Sequence, residues 1–228
     1  MKILLIDTCG ETGSIALAEL LPEPAVLATA TLPGRTASER LLSVIRDLAA
    51  PLDSLDAVAV VHGPGSFTGV RVSLSAAKGL CEALNLPLVA ISRLAVLAHL
   101  AAAPAGARVR AVLDAGRGEF YSGEYVDGLC IREALLTRDE LLAAAEVQPQ
   151  VTIACEAAVA ASLAVLAPHL VAQPVAESAL PLALARIEEQ VFDDIATIDA
   201  NYLRRTDAEI FAKPRPAKNL HPTGASVS

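Results

Sequence analysis

The chain opens on Lys2-Ile-Leu-Leu-Ile-Asp7, an apolar run of the length of a buried strand, closed by an acid. A turn-rich stretch, Thr8–Gly13, separates it from Ser14–Glu19, whose pattern suits a hairpin partner, and Ala25–Leu32 supplies a third strand. The pattern then changes period. Leu41, Leu42, Val44, Ile45 and Leu48 predict a helix over Glu39–Ala49 with Ser38 as its cap. Strand Leu55–Val61, helix Val70–Leu84, strand Leu88–Ile91 and an Ala-rich helix ending before Pro104 follow.

Beyond Pro104-Ala-Gly-Ala107 the same order restarts. Val109–Asp114 is an apolar strand ending in Asp, as the first one does. Gly116 and Gly118 mark a turn, and Glu119–Val126 and Leu129–Leu136 read as strands. Arg138–Ala145 is helical, Val151–Cys155 a strand, and Ala157–Ala167 and Ala179–Val191 are helices. The repetition lies in topology and not in residue identity. It predicts an α/β fold made of two duplicated lobes, 1–104 and 105–212, with mixed sheets. The stretch 213–228 lacks apolar periodicity and is expected to be a flexible tail.

Composition narrows the function classes. Eighteen Lys and Arg stand against 26 Asp and Glu, a net charge of −8, and aromatic residues are 3% with no Trp. A chain that grips phosphate backbones or stacks bases by itself has the opposite character, so RNA contact is left to a partner. No apolar run reaches the length of a membrane span or a secretory leader, which makes a cytoplasmic chain without a membrane partner the expectation. Cys9, Cys81, Cys130 and Cys155 form no C-x-x-C pair and read as reduced thiols. His62, His99, His169 and His221 are scattered without metal-ligand spacing, so no metal site is expected. No nucleophile motif supports a Ser-His-Asp triad.

Three features carry candidate chemistry. The first is His62-Gly-Pro-Gly-Ser-Phe-Thr-Gly-Val-Arg71, set between a strand and a helix. Open amides there suit an anion, yet the segment fits neither the P-loop register nor G-x-S-x-G. Its other reading is a tight turn with Ser66 or Thr68 capping the helix. The second is the pair Asp7 and Asp114, each closing the first strand of its lobe, with Thr8 and Glu119 beside them. Carboxylates facing each other across a cleft suit a magnesium–nucleotide complex, and a hairpin Asp accepting backbone hydrogen bonds is the plainer account. The third is the helix seam Val70, Leu74, Ala77, Cys81 and Leu84, spaced 4, 3, 4 and 3, with Arg71, Ser75, Lys78 and Glu82 on another side. Such a seam packs on the chain's own sheet or on a partner helix.

Gly63-Pro-Gly-Ser-Phe-Thr-Gly-Val-Arg71, followed by Ala77-Lys-Gly-Leu80 and Ile91-Ser92, resembles the signature of the bacterial TsaB (YeaZ) proteins. Ile6-Asp-Thr8, Leu113-Asp-Ala115 with Gly118-Glu119 and Tyr121, and Tyr202-Leu-Arg204 agree in order, so the resemblance spans about residues 1–205. Two positions depart from it: Gly116 stands where many members carry Arg, and Ala37 where some carry His.

The resemblance implies two ribonuclease-H-like lobes of the actin/Hsp70/sugar-kinase superfamily. It implies a non-catalytic scaffold in the synthesis of threonylcarbamoyladenosine, the modified adenosine beside the anticodon of tRNAs reading codons that start with A. The partner it implies is the catalytic paralogue TsaD in a heterodimer, joined by the ATPase TsaE in a ternary complex. A homodimer is implied for the isolated chain, and tRNA is met only through the complex. No cofactor is required, with room for ATP or ADP in the complex or in a vestigial site at Asp7, Thr8, Asp114 and Glu119. The TsaD-facing surface it implies is Leu41, Leu42, Ile45, Val70, Arg71, Leu74, Ala77, Lys78 and Cys81. An independent ATP-binding phosphotransferase of the same fold is the alternative.

Overall fold

A computed structural model describes residues 1–20, 22–33 and 36–203. The tail from Lys213 and Arg204 of the signature lie outside the described residues. The chain forms β1 (Lys2–Asp7), β2 (Thr12–Glu19), β3 (Ala25–Pro33), α1 (Ala37–Leu48), β4 (Ala57–Val61), α2 (Phe67–Leu84), β5 (Leu88–Ile91) and α3 (Arg93–Leu100). It continues with β6 (Arg108–Gly116), β7 (Glu119–Val126), β8 (Leu129–Thr137), α4 (Arg138–Val147), β9 (Thr152–Glu156), α5 (Ala157–Ala160), β10 (His169–Val171) and α6 (Leu180–Glu188).

Two five-stranded sheets result, ordered β3-β2-β1-β4-β5 and β10-β9-β6-β7-β8. In each, three antiparallel strands form a meander, and two further strands run parallel to its first strand. The two halves therefore share one topology, the duplicated ribonuclease-H-like lobe expected from the sequence.

Strand alternation distributes the core. Ile3 and Leu5 of β1, with Ala59 and Val61 of β4, face α6; Leu4 and Ile6, with Val58 and Val60, face α1 and α2. On the second sheet Val109, Ala111 and Leu113 pack against Leu94 and Leu97 of α3, while Val112 packs against Leu141 of α4. Two helices are thus exchanged: α3 of the first half covers the second sheet, and α6 of the second half covers the first.

Several elements differ from the sequence expectation. Ser38 does not cap α1; the helix starts at Ala37, so Ser38 lies in its first turn, and Thr36 stands at the N-cap position. Helix α2 begins at Phe67, three residues before the expected Val70, because Ser66 Oγ accepts from the Gly69 amide and closes the first turn there. The single helix expected over Ala157–Ala167 is α5 followed by a 3-10 turn, Ala161–Leu166. Pro168 disfavours helix at the residue before it, and Ala167 takes a left-handed φ of 45°. The strand β10, absent from the sequence reading, completes the second sheet. Among the described residues no helix is long and apolar enough to cross a membrane.

Candidate functional site

The glycine-rich segment is a packing joint between four parts of the chain. A Cβ on Gly69 would lie 1.8 Å from the Thr8 carbonyl oxygen, and one on Gly65 would lie 2.3 Å from that of Cys9. Only glycine allows this backbone-on-backbone contact with the β1–β2 turn. Thr8 Oγ1 donates to the Gly69 carbonyl (2.5 Å), and the Ser66 amide donates to Cys9 (2.8 Å). The Gly63 carbonyl accepts from the Arg93 amide (2.7 Å), and His62 accepts from Asn201 (2.8 Å). The tight-turn reading with Ser66 as cap therefore describes the bonding of this loop.

Between the lobes lies a cleft of about 890 Å³ whose lining includes Thr8, Glu11, Ser66, Arg93, Asp114 and Glu156. The sequence reading missed Arg93 and Glu156. Glu156 closes β9 as Asp7 closes β1, and that shared terminal acid was the available signal. The Arg93 side chain, 8% exposed, pairs through Nη2 with Glu156 Oε1 at 3.2 Å, and its Nε has no acceptor. Asp7 is buried, and its Oδ1 accepts the Cys9 amide at 2.8 Å. Burial pushes the Asp7 and Glu156 carboxyls above the ordinary carboxylate range, and the Arg93 guanidinium works against this at both. Burial also raises the Cys9 thiol. Asp114 is exposed and accepts the Gly116 amide at 2.7 Å, the hairpin bond of its plainer account. Glu119 is half-buried at the start of β7.

This set does not fit a magnesium–nucleotide. Among the described residues no three His, Cys, Asp or Glu converge on a point that could hold a metal. Asp7 is buried, with Oδ1 bonded to the Cys9 amide. The charged lining comprises Glu11, Asp114 and Glu156 against Arg93 alone, which opposes a polyphosphate.

A second contact bolts the lobes together beside Arg93. Ser92 Oγ and the Tyr125 hydroxyl both donate to Glu133 Oε1, and Asn201 Nδ2 donates to Glu133 Oε2 at 2.6 Å. Burial, followed by the neighbouring Glu133 charge, pushes the Tyr125 hydroxyl up.

The nine residues of the expected partner surface divide. Val70, Leu74, Ala77 and Cys81 of the seam, with Leu41 and Ile45, are buried against the chain's own sheet. The apolar seam is thus core, and a charge at Leu74 or Cys81 would break the lobe itself. Lys78 is half-buried and donates to the Ile198 carbonyl at 3.0 Å. Leu42 and Arg71 reach solvent.

They flank a groove of about 590 Å³ between α1 and α2, walled by Leu41, Leu42, Phe67 and Val72. Leu42 is 62% exposed and Phe67 52%, and the two share this one groove. Arg71 lies over the Phe67 ring at 3.8 Å from its centroid, and its Nε donates to the Tyr202 hydroxyl at 2.6 Å. Phe67 and Tyr202 escaped the sequence reading as site residues because one was read as turn and the other is far along the chain.

Comparison with known proteins places this architecture. The family model described as TsaD, tRNA N6-adenosine threonylcarbamoyltransferase, matches residues 31–214. The tRNA threonylcarbamoyladenosine biosynthesis protein TsaB of Escherichia coli is 38% identical over 130 residues, 55% of each chain. That of Bacillus subtilis is 37% identical over 137 residues, 57% of this chain and 58% of the relative. The matched region thus spans little more than half the length of these curated relatives. The solved structure of YeaZ from Pseudomonas aeruginosa, 28% identical, covers 89% of this chain and 99% of its own with a TM-score of 0.66. On the family match the chain belongs to the TsaD family, and it is similar to the TsaB and YeaZ proteins.

Proposed function

We propose that the chain acts in tRNA threonylcarbamoyladenosine synthesis as a non-catalytic scaffold that binds and activates a TsaD-type transferase. The observation that carries this reading is the α1/α2 groove, where Leu42 and Phe67 stay exposed around a preorganised Arg71. Exposed large apolar groups beside a stacked arginine have the composition of an interface core. The cleft supports the same reading, because its one arginine, Arg93, is already paired with Glu156. The chain needs no cofactor of its own, a TsaE-type ATPase joins the complex, and tRNA is met through the assembly. Without the transferase, two copies pair through the same face.

Leu42→Glu is the variant that tests this. It should leave the thermal midpoint unchanged and weaken binding to the transferase at least about tenfold, roughly 1.4 kcal/mol. A reconstituted modification assay with TsaD, TsaE and the threonylcarbamoyl-adenylate synthase should lose product in parallel. Val165→Glu, at a 71% exposed position on the second lobe, serves as the control and should change neither. Full product with the chain omitted, or equal binding by both variants, would refute the scaffold reading.

A further inference from the structure

The last described residues form a strap that ends beside the α1/α2 groove. Residues 194–203 carry neither helix nor strand and are tied down by single bonds. Lys78 Nζ donates to the Ile198 carbonyl at 3.0 Å, His62 Nδ1 lies 3.1 Å from the Asp199 carbonyl oxygen, and the Asn201 amide donates to the His62 carbonyl at 2.8 Å. Ile195 and Ile198 pack against the core beneath α1 and α2. Arg71 Nε then donates to the Tyr202 hydroxyl at 2.6 Å, and the Tyr202 and Phe67 rings lie 5.9 Å apart.

The order of these contacts gives the strap a direction. From Ile198 at Lys78 to Tyr202 at Arg71 it moves about two helical turns toward the N-terminal end of α2. Phe67 and Arg71, which meet Tyr202, both line the groove. The chain therefore leaves its described part at the mouth of the groove, where Leu42 and Phe67 are still exposed. An apolar occupant would gain by covering them.

The sequence beyond Leu203 supplies one. It contains a single pair of adjacent large apolar residues, Ile210-Phe211, whereas Leu220 and Val227 stand alone and farther off. Phe211 comes eight residues after Leu203, a reach of at most about 26–29 Å. Helices in contact lie about 8–10 Å apart, so the far wall of the groove at Leu42 is within that reach. Charge agrees with this. Thr206–Ala212 carries Asp207 and Glu209 and no Lys or Arg, and Arg71 is the one charged side chain lining the groove.

We propose that the segment Glu209–Ala212 of this same chain docks in the α1/α2 groove, with Ile210 and Phe211 covering Leu42 and Phe67, and shields this face until a partner displaces it. The shielding rests on the scaffold reading of the face; the docking does not. A face that is open only part of the time binds its partner with an affinity lowered by that fraction. A second copy of the chain must displace the segment just as the transferase must.

Two measurements on the full chain test docking and shielding separately. Phe211→p-benzoylphenylalanine is irradiated at a concentration where the chain is monomeric. The expected result is a crosslink within one copy to the peptide bearing Leu42 or Phe67, lost in the Leu42→Glu background and absent when the same probe replaces Leu220. Crosslinks elsewhere, crosslinks only between two copies, or equal crosslinks from both positions overturn the docking. The double variant Ile210→Asp, Phe211→Asp is then titrated against a TsaD-type transferase beside the parent. It should bind at least about threefold more tightly; equal or weaker affinity overturns the shielding. If neither chain binds the transferase, the scaffold reading and the shielding fall together, while the crosslink still decides the docking.

Discussion

Gly69→Ala is expected to destabilise the chain by about 3 kcal/mol or more, the upper part of the range for overpacking a tight contact. The added methyl would sit 1.8 Å from the Thr8 carbonyl oxygen and 2.9 Å from its carbon. Both neighbours are backbone, fixed by β1 on one side and α2 on the other, so no side chain can swing aside. At roughly 2–4 °C per kcal/mol for a protein of this size, the melting midpoint should fall by about 6–12 °C. The same helix contains its own control. A Cβ on Gly79 meets nothing within 4 Å, so Gly79→Ala should stabilise by roughly 0.5–1 kcal/mol through helix propensity. Urea unfolding of the two variants therefore gives opposite signs. A similar small effect from both would show that the glycine joint is loose.

The second large effect is expected at Arg93→Met, which keeps the apolar stem and removes the charge. Breaking a buried ion pair by deleting one partner costs about 3–5 kcal/mol, because the remaining charge is left uncompensated. Here two acids, Asp7 and Glu156, lose their shared cation. Their folded-state pKa values already lie above 3.8 and 4.5, and without Arg93 they rise further. A folded state that holds protons more tightly than the unfolded chain loses stability as pH rises through its raised values and regains it on acidification toward the ordinary ones. The variant should therefore be much less stable than the parent at pH 8 and closer to it at pH 5. Equal destabilisation at both values would mean that Arg93 contributes packing and not charge.

The strand alternation and the restart after Pro104 made the duplicated lobes legible, since each strand buries both faces or one face of a meander. The three-residue β10 was not legible, because His169–Val171 is too short to carry a period and follows a proline. The end at Ala167 was legible in Pro168, whereas the change from α to 3-10 helix at Ala161 was not. The seam at Leu74 and Cys81 shows a limit of periodicity: an apolar stripe looks the same whether its own sheet or another chain covers it. Only the structure separates Leu41 and Ile45, which are core, from Leu42, which is not. The Arg93–Glu156 pair joins residues 63 apart across the two lobes, and nothing local in either segment announces the other.

The exchange of α3 and α6 has a consequence for the order in which the molecule can be made. The inner face of the first sheet, with Ile3, Leu5 and Val89, waits for Leu180, Ala183 and Ile187 to cover it. A nascent chain leaving the ribosome thus carries a finished sheet with one bare side through the synthesis of the whole second lobe. Its first half ripens only when the second is nearly complete, and severing the chain near Pro104 should yield fragments that fold only when mixed.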